Sequence, residues 1–518
     1  MHWTRPRVWI TSAVVVPAVA VGGWLTLAPG EGSEGPITVG TSDVITSLDP
    51  AGAYDAGSWA LYSNVFQSLL TFRAGSPTPV PDAAEKCAFT GGGLKSYRCE
   101  LRPGLRFAGG GEVTAADVEY SFERMLRIKS KQGPAGLFAN LKSVSAQGRK
   151  VTFQLHKGDA TFPQKLATGA GSIVDSDDYP EDRLRKGTSV TGSGPYLLKR
   201  YEQGKRARLE PNPDYRGAVR KTGGPVEVRY HPTSDALAKA WKSGGLDVIH
   251  RQLPADTLAE LNPSDPDLRV SEARSPEIRN LVFSLKPGKP TAETAVRQAI
   301  ATVVDRGTLA RRVHRSTVQP LYSLIPQGVL AHSNPFFDTY PEGNIDRARK
   351  ILQEANIETP VKITLGYWED TSPAKEAAEV KRQLEASRLF EVRTASAEWT
   401  TYQRRFTDGR YDAFLIGWFS DFNDPDSFTQ PLVGRNSVLH NGYRNDTVDR
   451  LIARTQQYER RSRATSAFKE MQREIAKDVP MLPLWQRTEY VLSNRGVGGS
   501  QYLTDGTGVW RLWELNRL

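Results

Sequence analysis

The order of apolar and polar positions along the chain predicts strands that alternate with helices. Val118, Phe122 and Met125 share one face of a helix that begins at Thr114, and Asp117 completes a capping-box pattern there. Further helices are predicted over 59–70, 234–242, 295–314, 345–355, 374–387 and 461–477. The predicted strands are PITVGTS, YRCEL, LKSVSA, KVTFQL, YLLKRY, RARLEP, VEVRY, LDVI, NLVFSL, VKITLGYW and YDAFLIGW. This alternation indicates mixed α/β domains.

Length and composition limit the class of protein. The chain has 518 residues, which exceeds one hydrophobic core, so two or three domains are expected. Apolar residues make up 39% and charged residues 24%, which suits a soluble globular body. Lys and Arg outnumber Asp and Glu by 68 to 58, giving a net charge of +10. Because the basic residues are scattered and form no stripe, we expect no nucleic-acid partner.

The N-terminal segment carries the compartment signal. Arg5 and Arg7 precede the charge-free stretch 8–28, and an acidic Gly/Ser/Pro stretch follows. This order is typical of an export signal. The stretch is also long enough to span about 30 Å of hydrocarbon. A cleaved signal and a retained single-helix anchor therefore both remain open for residues 1–35, and the rest of the chain is expected outside the membrane.

Two cysteines are consistent with a location outside the cytoplasm. Cys87 and Cys99 flank the glycines 91–93 in what reads as a β-hairpin. A disulfide is predicted outside the cytoplasm, and two buried thiols are the alternative.

Catalytic motifs are missing from the sequence. It contains no HExxH, GxSxG or GxxxxGK[ST] motif and no GxGxxG after a strand. The histidines lie far apart, at positions 2, 156, 231, 250, 314, 332 and 440. We therefore predict no enzyme, no cofactor and no metal site, with a secreted hydrolase as the alternative.

The stretch FLIGWFSDFNDPDSF is the main candidate for chemistry. An apolar run opens onto Asp421, Asp424 and Asp426, which are interleaved with aromatic residues. Their spacing departs from the EF-hand loop. The three acids are explained by a turn around Pro425, in which they have a structural role. They are equally explained by an aromatic ligand pocket, in which a carboxylate binds a cation. The residues alone leave both interpretations open.

Seven segments in order resemble one family. They are ITVGTSDVITSLDPAGAYD, CELRPGLRFAGGGEVTAADVEYSFERML, TGSGPYLLKRYEQGKRARLEPNPDYRG, VRQAIATVVDRGTLARRVH, NIDRARKILQEAN, GWFSDFNDPDSF and DVPMLPLWQR. Together they resemble the extracytoplasmic solute-binding proteins of ABC importers, family 5, the peptide and nickel binding type. The resemblance covers nearly the whole chain after residue 36.

The resemblance implies a two-lobed α/β fold of the periplasmic-binding-protein type II, with a ligand cleft between the lobes. An extra domain is inserted in the first lobe. The implied boundaries are 36–57, 190–268 and 486–518 for lobe I, 58–189 for the extra domain and 269–485 for lobe II.

The resemblance also implies ligand contacts. Asp421 occupies the position of the acid that, in peptide-binding members of the family, pairs with the peptide's α-amino group. Asp424 and Asp426 are assigned to the turn around Pro425. The other residues assigned to the ligand site are Trp418, Ser420, Phe422, Tyr367, Trp368 and Ser42. Leu415 stands where some oligopeptide binders carry an arginine, so a basic partner for a peptide carboxylate is not identified.

The implied function is capture of peptides by a monomer that delivers them to a membrane permease, which a cytoplasmic ATPase drives. Nickel complexes, oligosaccharides or another cationic solute are alternative ligands, and sensing without transport is an alternative role. The protein is expected to be secreted or held at the outer face of the cell membrane by its N-terminal helix. No Cys lies near Ala28 for lipid attachment.

Overall fold

The computed structural model describes residues 35–219, 223–250, 253–262, 264–340 and 342–518. Residues Pro36–Leu518 form one compact unit. The predicted signal or anchor at 8–28 lies outside the described residues. Within the described residues, no helix combines the length and the apolar character needed to cross a membrane.

Strands and helices alternate over most of the chain. The strands are β1 Ile37–Thr41, β2 Leu70–Phe72, β3 Pro79–Pro81, β4 Ala84–Phe89, β5 Ser96–Leu101, β6 Leu141–Gln147, β7 Lys150–Leu155, β8 Tyr196–Glu202, β9 Arg206–Pro211, β10 Val226–Tyr230, β11 Val248–His250, β12 Leu268–Phe283, β13 Val318–Pro320, β14 Val361–Trp368, β15 Phe390–Ala397, β16 Ala413–Trp418, β17 Met481–Asn494, β18 Val497–Gly498 and β19 Asn516–Arg517. The helices are α1 Ala56–Val65, α2 Ala115–Ile128, α3 Phe162–Leu166, α4 Ser234–Lys242, α5 Ala255–Ala259, α6 Thr294–Val303, α7 Arg306–Arg312, α8 Pro335–Thr339, α9 Ile345–Glu354, α10 Thr371–Ala386, α11 Trp399–Thr407, α12 Asp426–Val433, α13 Asp446–Thr455 and α14 Thr465–Asp478.

One large sheet runs through the molecule in the order β15-β14-β16-β12-β17-β11-β1-β10-β9-β8, with β13 paired to β17. Its centre is the antiparallel pair of long strands β12 and β17, whose pairing runs from Leu268 with Asn494 to Val282 with Met481. One end of this pair meets β11, and the other end meets β16. The two strands therefore connect both halves of the sheet.

Two large hydrophobic cores lie at the two ends of that strand pair. The first gathers buried residues from Ile37 to Val248 and from Val491 to Leu515. The second gathers buried residues from Ile278 to Trp485. We call the part around the first core, residues 36–219, 223–250, 253–262 and 491–518, lobe I. We call the part around the second core, residues 278–340 and 342–485, lobe II. The two-lobed α/β fold is thus confirmed.

A smaller antiparallel sheet, in the order β4-β5-β7-β6, extends the first core. Helix α2 packs on it, and the rings of Phe122 and Phe153 meet with centroids 5.0 Å apart. Cys87 and Cys99 are directly paired across β4 and β5 and form a disulfide. The predicted hairpin and its disulfide are both present.

The structure corrects three helix predictions. The helix expected over 59–70 is α1, which ends at Val65 and is followed by β2; both elements are buried, so apolar spacing does not mark the break. The helix expected over 295–314 is two helices, because Val304 is extended and Asp305 caps α7 by accepting from the Thr308 N–H. The helix expected over 461–477 begins with a 3-10 turn before α14.

Other predicted elements agree closely with the structure. The predicted strand VKITLGYW is β14, and the predicted helix 234–242 is α4. Thr114 and Asp117 form the capping box at the start of α2.

A buried ion pair fixes the loop after β1 to α2. Arg124 donates to both oxygens of Asp49, at 2.9 and 2.6 Å, and both side chains are almost fully buried. Asp49 also accepts from the backbone N–H of Ala51 and of Arg185. This carboxylate therefore joins three segments of lobe I.

We predict that Arg124→Met lowers the free energy of unfolding by about 3–5 kcal/mol, because it leaves the Asp49 carboxylate buried and unpaired. Urea denaturation followed by circular dichroism measures the change. Arg127→Met is the matched control: Arg127 lies on the same helix and pairs with Glu181 at the exposed surface. Exposed pairs contribute little, roughly 0–1 kcal/mol. Equal losses in the two variants would contradict the role of the buried pair.

Candidate ligand-binding cleft

A half-buried arginine holds the loop after β16 in its conformation. Arg461 donates to both oxygens of Asp424, at 2.9 and 2.8 Å, and to Asp426 at 2.8 Å. Asp426, the first residue of α12, also accepts from the Thr455 hydroxyl. Burial raises the pKa of Asp426, while the Arg461 charge opposes that rise. Asp424 and Asp426 therefore hold the loop in place.

Asp421 has a different environment from those two acids. One of its oxygens accepts a hydrogen bond of 2.6 Å from the Tyr54 hydroxyl, which belongs to lobe I. Its backbone N–H donates to the Ser427 hydroxyl, which fixes the turn. Among the described residues, no hydrogen bond reaches the second carboxylate oxygen. Both lobes thus contribute to this site, and the carboxylate keeps capacity to accept.

The Asp421 carboxyl lies in the crevice between the lobes. Burial raises its pKa to about 6, against the lowering effects of the Tyr54 hydrogen bond and the Lys165 charge. Lys165 itself is paired with Asp159 at 2.7 Å. A carboxylate that is costly to ionise gains most from a cation that enters beside it. The site is therefore suited to a positively charged group.

The residues that flank Asp421 take different roles. The Trp418 indole N–H donates to the Ser427 carbonyl at 2.7 Å, which braces the loop. Ser420 is buried, and its hydroxyl has no hydrogen-bond partner among the described residues. The Phe422 ring is 3% exposed and packs in the first core. Although the resemblance assigns it to the ligand, Phe422 here anchors the loop of lobe II to lobe I.

The remaining assigned residues lie apart from Asp421. Trp368 lies over the guanidinium of Arg279, 4.5 Å from the ring centroid. Tyr367 packs half-buried against the second core. Ser42 is half-buried just after β1 in lobe I. The structure therefore brings Trp418, Ser420 and Asp421 together and places Trp368 in a second part of the cleft.

That second part is a cavity of about 610 Å³ between the lobes. Lobe I lines it with Thr233, Ser234 and residues 253–258, and lobe II lines it with Arg279, Trp368, Trp399 and Trp485 among others. Arg279 interrupts the buried run of β12, where an unpaired charge is costly, and that interruption is a signal in the sequence. Tyr54 gave no such signal, because its partner Asp421 lies 367 residues away.

The part of the chain that the structure describes shows no cluster of metal-ligating side chains. No group of three or more His, Cys, Asp or Glu side chains there is placed to hold a metal ion.

Comparisons with known proteins identify the family and the fold. Residues 78–438, more than half of the chain, match the family model described as bacterial extracellular solute-binding proteins, family 5 middle. The di/tripeptide-binding protein 3 of Pseudomonas aeruginosa is 27% identical over 494 residues, covering 86% of this chain and 87% of the relative. The probable D,D-dipeptide-binding periplasmic protein of Escherichia coli is 25% identical over 483 residues, covering 89% and 90%.

Solved structures share the fold. The periplasmic binding protein DppA of Helicobacter pylori, in complex with the peptide STSA, superposes with a TM-score of 0.79 at 22% identity, covering 93% of this chain and 98% of that one. The family match spans both lobes and the loop that carries Asp421. The chain therefore belongs to the bacterial extracellular solute-binding proteins of family 5.

Proposed function

We propose that this protein is the binding component of an ABC importer and captures short peptides in the cleft between its lobes. The observation that carries the proposal is the Asp421 carboxylate, which faces the cleft and already contacts Tyr54 of the opposite lobe. The names of the relatives support a peptide ligand: two of them are di/tripeptide- and D,D-dipeptide-binding proteins. The related H. pylori protein carries a peptide in its structure.

The peptide's α-ammonium group would pair with Asp421. It would supply the charge that the carboxylate lacks in a crevice where burial disfavours ionisation. Because Tyr54 approaches Asp421 from lobe I, the complete site exists only when the lobes meet. A ligand that binds this complete site better than either lobe alone shifts the population towards the closed form.

The lobes that close would have the boundaries inferred from the sequence: 36–57, 190–268 and 486–518, together with the extra domain 58–189, for the first, and 269–485 for the second. Closure would pivot on β12 and β17, which pass from one core to the other. The closed, loaded monomer would then dock on a membrane permease and release the peptide. Residues 8–28 would serve as the export signal or as the tether to the outer face of the membrane.

Binding without turnover completes the proposal. The family and its relatives are binding proteins, and peptide recovered intact after incubation is the outcome we expect. Hydrolysed peptide in mass spectrometry would instead support a secreted hydrolase. A cationic solute other than a peptide would use the same carboxylate, and binding of free and acetylated peptides separates these two ligand classes.

We predict that Asp421→Asn weakens binding of trialanine by about 2 kcal/mol or more, roughly thirtyfold in Kd, because the ammonium loses its charged partner. Isothermal titration calorimetry measures the Kd. The amide keeps the shape of the side chain and still accepts from Tyr54, so the folded state is expected to persist. Asp338→Asn, at an exposed position on α8, is the control for the substitution itself.

N-acetyl-trialanine supplies the matched ligand control. Wild-type protein should prefer trialanine over the acetylated peptide, and Asp421→Asn should lose that preference. If the variant keeps the full preference, the ammonium binds elsewhere and the proposed role of Asp421 is wrong.

We also predict opposite pH effects on binding and on stability. The folded pKa of Asp421, about 6, lies above the unfolded value of about 3.9, so the folded protein binds the proton more tightly. The ligand-free protein should therefore gain stability from this group as the pH falls from 7 towards 4. Affinity for trialanine should fall over the same range, by about tenfold per pH unit well below pH 6, because protonation removes the charge that holds the ammonium.

Titration calorimetry and thermal unfolding of wild type and Asp421→Asn from pH 4.5 to 7.5 test both effects. The difference between the two proteins isolates Asp421 from other titrating groups. A wild-type affinity that does not change with pH would contradict the assignment.

A further inference from the structure

Arg279 is a buried cation held between two indole rings. Its guanidinium carbon lies 4.5 Å from the centroid of Trp368 and 5.1 Å from that of Trp485. Only 5% of the residue is exposed. Its Nε lies 3.1 Å from a carboxylate oxygen of Glu376, which is itself fully buried. Both rings contact the guanidinium, and Glu376, which also lies 3.1 Å from His314, balances its charge.

The hydrogen-bond donors of Arg279 are not used. Among the described residues, none of its N–H groups makes a hydrogen bond; the contact with Glu376 is an ion pair whose geometry is too poor for one. Buried polar groups in proteins are normally hydrogen-bonded, and a guanidinium carries five N–H donors. Its Nε is occupied by the ion pair with Glu376, whereas no hydrogen bond within the described residues uses its terminal N–H groups, which leaves them available to an acceptor that enters the cavity.

A second unused donor lies in the same cavity. Trp485 is 1% exposed, and its indole N–H has no acceptor within the described residues. Trp485 and Arg279 both line the cavity between the lobes. Four acids and a lysine also line the cavity: Glu277 and Asp256 are paired with Arg487 and Arg315, whereas Asp235, Asp370 and Lys375 lie at its solvent-exposed edge. At this wall, the Arg279 guanidinium and the Trp485 N–H offer a positive charge and hydrogen-bond donors, which suit an anionic acceptor.

Sheet register explains how this wall forms. Arg279 on β12 is directly opposite Trp485 on β17 and directly opposite Gly417 on β16. Opposite residues on neighbouring strands point to the same face. A Cβ on Gly417 would come within 3.3 Å of an Arg279 terminal nitrogen, so the glycine leaves room for the guanidinium.

We propose that Arg279, together with the Trp485 indole N–H, is the subsite for the carboxylate of the ligand. The inference rests on the proposed function and adds the second charge that a peptide with free ends requires. The two terminal nitrogens of a guanidinium match the two oxygens of a carboxylate. The subsite supplies the basic partner that the sequence, with Leu415 in place of an arginine, did not reveal.

The spacing of the two charges limits the ligand's length. Gly417 and Asp421 are four residues apart, so their Cα atoms lie within about 14 Å of each other. The strand partner Arg279 adds about 5 Å. The Cα atoms of Asp421 and Arg279 are therefore within about 20 Å, a distance that roughly six extended residues would cover. A ligand held by both ends is accordingly a short peptide.

Three probes test the subsite: trialanine, trialanine amide and N-acetyl-trialanine, with binding measured by titration calorimetry. The amide lacks the carboxylate, and we expect wild-type protein to bind it roughly tenfold or more weakly than trialanine. Removing Arg279 alone would strand the buried Glu376 charge, so the test variant is the double substitution Arg279→Gln/Glu376→Gln. In that variant the acid and the amide should bind equally.

A matched pair on the same cavity is the control. Arg487→Gln/Glu277→Gln also removes one arginine and one glutamate, but Arg487 is already bound to both oxygens of Glu277, at 2.7 and 3.0 Å. This control should keep the preference for the acid. Arg279→Lys keeps the charge and loses the planar pair of donors, so it should keep only part of the preference.

The outcomes separate this inference from the proposed function. If wild-type protein rejects the acetylated peptide but binds acid and amide alike, Arg279 is not the carboxylate subsite and the peptide function stands. The subsite is equally excluded if the Arg279/Glu376 double variant keeps the preference. If none of the three peptides binds, the proposed function fails and the subsite fails with it.

Discussion

The antiparallel pairing of β12 with β17 is the constraint on which the rest of the structure depends. These two strands connect the two hydrophobic cores. The other strands of the large sheet lie on either side of the pair. Their register also sets the cleft wall, because it places Arg279 opposite Trp485 and next to Gly417. A slip of one residue would turn those side chains to the other face of the sheet. The backbone hydrogen bonds between β12 and β17 therefore both connect the lobes and position the residues of the cleft wall.

Buried and half-buried charged residues around this frame divide into two kinds. Asp49 with Arg124, and Asp424 with Arg461, have their hydrogen bonds satisfied within the chain, and they fix loops. Asp421 and Arg279 keep acceptor and donor capacity that the described residues do not use. Since an unsatisfied buried group costs free energy, its retention in a folded protein is explained when a ligand supplies the partner. This contrast, rather than the presence of charge, separates structural residues from candidate ligand contacts.

Much of the fold was predictable from local patterns in the sequence. The capping box at Thr114, the helix α4 and the strand β14 follow from short-range spacing and capping rules. The breaks inside 59–70 and 295–314 were missed because apolar residues continue across them. Both segments are buried on either side of the break, and burial rather than periodicity sets their composition.

The candidate site was only partly predictable. Asp421 stands out because an acid follows a buried strand among aromatic residues. Tyr54 and the rings around Arg279 come from distant segments, so their juxtaposition depends on tertiary structure alone. Phe422 was assigned to the ligand as an aromatic residue beside Asp421, and its ring also packs in the first core, so its ligand contact stays a prediction. Local sequence does not distinguish these two uses of a phenyl ring.

The most direct measurement of the central claim is a crystal structure of the protein with trialanine bound. We expect the peptide in the cleft between the lobes, with its ammonium within hydrogen-bonding distance of Asp421 and its carboxylate on the Arg279 guanidinium. A peptide bound with reversed polarity, or bound outside the cleft that β12 and β17 cross, would contradict it.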